Sequence, residues 1–213
     1  MDEETNSVAG RFWTGEDSTG NVLSPSASWL VTTQDRGVAE AISNLYGGRP
    51  RPRPERDRIH ELQLERRDIA VITDGPLVNR LLLTHGGEVI HTCDGFHFLE
   101  PMPKAGQPCG CPASDFARKA AARSGYGPVP DLRITFRLAA APEAGRFLVT
   151  SSSWDLAASL RGTSGDQLGA RRELSLDRKV ITTRSGMTVS YVSPVLRSVE
   201  RDDPFLYQHR VAA

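Results

Sequence analysis

The stretch Ile69-Ala-Val-Ile-Thr-Asp-Gly-Pro-Leu-Val-Asn-Arg-Leu-Leu-Leu-Thr-His-Gly-Gly-Glu-Val-Ile-His-Thr-Cys-Asp-Gly-Phe-His-Phe-Leu99 decides the fold class. Its apolar runs, Ile69 to Thr73, Leu77 to Thr84, Val89 to Cys93 and Phe96 to Leu99, are cut by Asp74-Gly75-Pro76, Gly86-Gly87 and Asp94-Gly95. Each break has a steric cause, because glycine accepts positive φ and proline fixes its own φ and donates no hydrogen bond. Runs of this length between such breaks read as strands, preceded by another at Leu62 and Leu64. The economical connection among them is a meander.

Upstream, Phe12, Thr14, Val22, Leu23, Trp29 and Val31 alternate between Gly and Ser turns as short half-buried strands do. Val38, Ala39, Ile42 and Leu45 then recur at helical spacing, with Asp35 placed to cap and Gly47-Gly48 to stop a helix of about three turns. Arg49 to Arg58 alternates arginine with proline and predicts an exposed, stiff, extended basic loop.

Downstream, Ser114 can cap a helix carrying Phe116, Ala117, Ala120 and Ala121, with Arg118, Lys119 and Arg123 toward its C-terminal end and Gly125 stopping it. Leu132 to Leu138 and Gly145 to Ser151 read as strands about a turn at Pro142. Trp154, Ala157, Ala158 and Leu160 form a helix closed by Gly162, and Arg172 to Thr183 with Met187 to Leu196 a long hairpin about Ser185-Gly186. Strands outnumber helices and no β-α-β rhythm with a glycine fingerprint occurs. The expected fold is therefore α+β, mainly antiparallel sheet with two to three short helices and a structural zinc site.

With 38% hydrophobic side chains, 213 residues can fill one sizeable core. We expect a single domain over residues 10–198, a disordered N-terminus over 1–9 and a flexible tail over 199–213, with the exposed loop at 49–58 and the metal-binding segment at 86–112. The 26 basic and 26 acidic residues cancel, which disfavours sequence-independent binding to nucleic acid. Apolar runs such as Leu138 to Ala141 fall far short of the roughly 20 residues a membrane span needs. The acidic start Met1-Asp-Glu-Glu-Thr5 lacks the basic and apolar segments of a secretory signal, so a cytoplasmic location is expected.

The strongest chemical signal is His91-Thr-Cys93, 15 residues, then Cys109-Gly-Cys111-Pro. In a strand, His91 and Cys93 face the same way, while Gly110 lets the second pair curl around the same point. Two such pairs make a tetrahedron suited to zinc, and a closed set of three thiolates and one imidazole leaves no open position for catalysis. His97, His85 and Asp94 compete with His91 for the fourth place. The simplest alternative is three small buried thiols with no metal.

Other catalytic signatures are missing: no nucleophile elbow, phosphate loop, His-Glu-x-x-His helix or dinucleotide fingerprint. Ser151 to Ser153 before Trp154 reads as helix capping. Arg49, Arg51, Arg53, Arg56 and Arg58 are candidates for clamping phosphate or an acidic partner, although a solvated connector explains them more simply. Trp13, Trp29 and Trp154 read as core anchors.

Gly10-Arg-Phe12, Ala41-Ile-Ser-Asn-Leu-Tyr-Gly-Gly48, Gly86-Gly87, Cys93-Asp-Gly95, Cys109-Gly-Cys-Pro112, Gly127-Pro-Val-Pro130, Leu132 to Leu138, Gly145 to Trp154 and Val192-Ser-Pro-Val-Leu196 occur in series. This series resembles the actinophage recombination directionality factor family, over nearly the whole chain. The resemblance implies a non-catalytic accessory protein that binds a large serine integrase near its coiled-coil region and turns recombination toward excision of hybrid left and right sites. DNA would be met only through the integrase. The pattern departs from the family's where relatives carry a cysteine about four residues before the match to Cys93, here Val89, and another near Gly127-Pro128. The other reading is a DNA-metabolism accessory protein of the same fold, binding single strands or a replication protein, which the arginine loop favours.

Overall fold

The computed structural model describes residues 8–14, 28–53, 59–75, 77–161, 168–182 and 185–199. Strands β1 (Gly10–Trp13) and β2 (Leu30–Thr33) precede helix α1 (Arg36–Tyr46); then come β3 (Arg51–Pro52), β4 (His60–Gln63), β5 (Asp68–Thr73), β6 (Val78–His85), β7 (Glu88–Cys93) and β8 (Phe98–Glu100). Helix α2 (Asp115–Arg123), β9 (Val129–Leu138), β10 (Phe147–Ser151), α3 (Trp154–Ser159), β11 (Arg171–Thr182) and β12 (Thr188–Ser198) complete the described strands and α-helices. The architecture is the expected α+β type, mostly antiparallel sheet with three helices. None of the described helices is long and apolar enough to cross a membrane.

The strands join in one sheet whose main path runs β12-β11-β5-β9-β10-β1-β2-β4-β3. Among the described pairs, β1 with β10 is parallel and the rest are antiparallel. β9 is the pivot. On one edge it pairs with β10; the other edge is shared, with Val129 to Arg133 facing β6 and Phe136 to Leu138 facing β5. The expected meander over residues 62–99 is therefore corrected. Only β6-β7-β8 is one, because the Asp74 turn carries the chain from one partner of β9 to the other, and β4 lies across the sheet against β2.

β9 shows why the sequence alternates as it does. Leu132, Ile134, Phe136 and Leu138 are buried, while Arg133, Thr135 and Arg137 point the other way. Phe12, Phe136 and Phe147 meet edge-on or stacked at 5.2 to 6.0 Å between ring centres, and Trp29 meets Phe12 at 5.9 Å. Of the three tryptophans expected as anchors, Trp29 is one and Trp154 is half-buried. Trp13 is the exception: it lies at the surface, its indole donating to Thr32 Oγ1 at 3.0 Å. α1 packs on β2 and β4, and α3 on β9 and β12.

The helix caps follow the sequence. Asp35 Oδ1 accepts from the amides of Gly37 and Val38, Ser114 caps α2 and Ser153 caps α3, so Ser153 is a capping residue as read. Within the expected exposed, extended segment, Arg51 and Pro52 are exposed and pair with Glu61 and His60 as a two-residue edge strand, where proline is tolerated. Val22, Leu23, Arg56, Arg58, Gly162 and the tail from Glu200 lie outside the described residues.

Asp74, at the turn that redirects the chain, accepts from Arg137 Nε at 2.7 Å and Arg146 Nε at 3.2 Å. Burial alone would raise its carboxyl, but the two guanidinium hydrogen bonds and charges outweigh it and hold the group below 3.8. A carboxyl depressed by folding stabilises the protein above its unfolded value and loses that contribution as pH falls through the folded one. Asp74→Asn is thus expected to cost about 1 kcal/mol at neutral pH, discounted for the half-open arginines, and nothing at acid pH below the folded value. Urea unfolding of both proteins across that range checks it.

Candidate metal centre

β6, β7, β8 and α2 form a lobe carried on the first half of β9. Between residues 78 and 128 the buried apolar side chains are Leu81, Cys93 and, just before β9, Pro128, and no residue of that span joins the main hydrophobic cluster. A segment of this size with so little core needs another source of cohesion.

His91 and Cys93 sit two apart on β7 and share a face. After Cys93 the Asp94 carboxylate accepts from the amides of Phe96 and His97, both at 2.7 Å, which tightens the turn into β8. The chain then comes back beside its own path: Phe98 N donates to Gln107 O at 2.9 Å and Cys109 N to Phe96 O at 2.8 Å. Gly110, with φ at +72°, swings Cys111 toward β7, a conformation that favours glycine.

The result is a cluster of His91 Nε2, Cys93 Sγ and Cys111 Sγ, all within 4.8 Å of one another. The sulfurs are 3.7 Å apart, and the imidazole nitrogen lies 3.3 Å from Cys93 and 3.6 Å from Cys111. A zinc tetrahedron with Zn–S of about 2.3 Å and Zn–N of about 2.05 Å has S–S edges of about 3.8 Å and S–N edges of about 3.5 Å. The donors therefore fit a metal ion, and the thiols are free and not joined as a disulfide. The Cys109 thiol interacts with both Cys93 and Cys111 but stands outside the trio of mutually close donors.

Electrostatics agree with that chemistry. Burial pushes the Cys111 thiol up to about 12, helped by its sulfur neighbours, and raises Cys93 as well. Burial lowers His91, and the charge of Lys104 adds to this. Neutral thiols and a neutral imidazole crowd together here, and a dication inverts the preference by stabilising thiolate.

The other expected candidates lie elsewhere. His97 is exposed, 3.7 Å from the Asp94 carboxylate that is already committed to the turn. His85 is exposed at the end of β6. Arg49 and Arg51 are exposed and Arg53 is half-buried, away from the cluster in sequence and sheet position. The sequence missed Arg118. The sequence reads it as one of three cations toward the C-terminal end of α2, yet it is the buried residue of that helix, while the Phe116 ring is 81% exposed. An alanine-rich helix with one large apolar residue was the available signal.

A model of the Gp3-like family, described as recombination directionality factor-like, matches residues 9–171. The chain belongs to that family. No solved structure matches it. In this directionality factor-like protein the matched span takes in the sheet around Phe12 and the whole lobe, and it ends at the first residue of β11. The β11-β12 hairpin, with Val192 to Leu196, lies beyond it. The lobe of this family member also turns Ile90, Phe96, Met102, Phe116 and Tyr126 outward.

Proposed function

We propose that this protein is a non-catalytic accessory factor that binds a large serine integrase and turns it toward excision, recombining hybrid left and right attachment sites. The family match across the sheet and lobe carries this reading. The balanced charge of 26 basic against 26 acidic residues supports a protein partner, with DNA met through the integrase. In the proposed fold the lobe closes on a structural zinc held by His91, Cys93, Cys111 and Cys109; the ion supplies cohesion and takes part in no reaction.

The switch is a population shift. A factor that prefers the integrase arrangement able to synapse hybrid sites biases the product by its differential affinity, and a swing from 1:99 to 99:1 needs about 10⁴-fold preference. The test mixes purified protein, cognate integrase and plasmids bearing either phage and bacterial sites or left and right sites. Excision product appearing only with the factor, and a complex on gel filtration, is the expected result. Unchanged products and no complex would defeat the proposal, and salt-sensitive DNA binding without integrase would favour a DNA-metabolism role instead.

A further inference from the structure

We infer that Arg118 is a positioning residue for the metal centre, holding the two ligand-bearing segments in register so that one ion can close on both. The inference rests on the reading that the cluster binds a metal. Arg118 Nε donates to Pro112 O at 2.6 Å and Nη2 to Gly95 O at 2.8 Å. Pro112 follows Cys111 directly, and Gly95 is two residues past Cys93. One guanidinium thus joins the carbonyls beside the two cysteines of the trio.

Its surroundings are built for this task. Arg118 is 7% exposed, its charge faces the Asp115 carboxylate at 3.5 Å, and its Cζ lies over the Phe96 ring, 4.9 Å from the ring centre. Asp115 is also paired with Arg161 at 2.5 Å, just beyond α3. Gly95 has φ at +98°, and a Cβ there would come within 2.9 Å of the Arg118 Cζ. The glycine of Cys93-Asp-Gly95 is therefore required by the backbone and by the guanidinium pressed against it.

A planar fork with fixed donors suits two carbonyls held at a set separation, which an ammonium cannot span in the same way. The hydrogen bonds that Arg118 itself donates, to Gly95 and Pro112, do not reach the main core, so their effect falls on the geometry of the 94–112 segment. Without them the ion must order that segment itself, and binding weakens because metal affinity and folding draw on the same free energy.

Cobalt(II) titration of zinc-free protein, followed by thiolate-to-cobalt absorption and chelator competition, tests this. R118M is expected to show the wild-type spectrum, since the ligands are unchanged, with affinity lower by about 10–100-fold, the usual effect of removing a group that orients metal ligands. R118K keeps the charge without the fork and is expected to lose several-fold, which serves if R118M does not fold. Arg172 is the control: it is also buried but donates to Ser198 on β12, and R172M is expected to lower the melting temperature without changing cobalt affinity. Wild-type affinity in folded R118M or R118K overturns the positioning role alone. No cobalt uptake by the wild-type protein overturns the metal reading and this inference with it.

Discussion

Cys93→Ser is expected to abolish uptake of the proposed metal and open residues 78–128 while the sheet around Phe12 stays folded. Cys93 is fully buried, 3.7 Å from Cys111 and 3.3 Å from His91, so every pairwise contact of the trio except one passes through it. Serine is a poor ligand for zinc, and structural zinc in small modules contributes about 10–16 kcal/mol of apparent binding energy at neutral pH. Besides Cys93 the buried apolar side chains of residues 78–128 are Leu81 and Pro128, too few to replace such a sum. Hydrogen exchange should therefore accelerate by about 10³-fold or more across β7 and the returning segment, with β9 and β10 protected as before. Cys111→Ser should behave alike. His85→Ala and His97→Ala should leave the metal content unchanged, because neither joins the cluster. A Cys93→Ser protein whose lobe exchanges as slowly as wild type would show that ordinary packing holds it.

The second large effect belongs to the other half of the molecule. Phe12→Ala removes a fully buried ring that meets Trp29, Phe136 and Phe147, joining β1 to the middle of the sheet. Truncating a buried aromatic costs about 3–5 kcal/mol through lost burial and the cavity left behind. For a chain of this length that corresponds to a fall in melting temperature of about 10 °C. Calorimetry should show it, with metal stoichiometry unchanged, since no residue between 78 and 128 joins this cluster. A loss below about 1 kcal/mol would mean that neighbouring rings close the gap.

The two variants separate what could be read from the sequence from what could not. Period-two alternation made β9 legible, since each inward position had to be apolar to face the core. The helices were legible through Asp35, Ser114 and Ser153, whose side chains bond the first free amides of each helix. Pairing was not legible. Nothing local in Ile69 to Thr73 says that its neighbours are β9 and β11, because the register depends on a distant edge left half free by β6. The close approach of His91 and Cys93 on β7 followed from the two-residue repeat, and that of Cys111 from Gly110. Arg118 escaped notice because its role depends on carbonyls at Gly95 and Pro112, 23 and 6 residues away, which carry no side-chain signature.

Native mass spectrometry of protein purified without chelator tests most directly whether an ion does the work of a core in the lobe. One zinc per chain, released together with the ordering of residues 78–128 when a strong chelator is added, is the expected result. A mass equal to the bare polypeptide, from protein whose lobe is ordered and whose thiols are reduced, would contradict it.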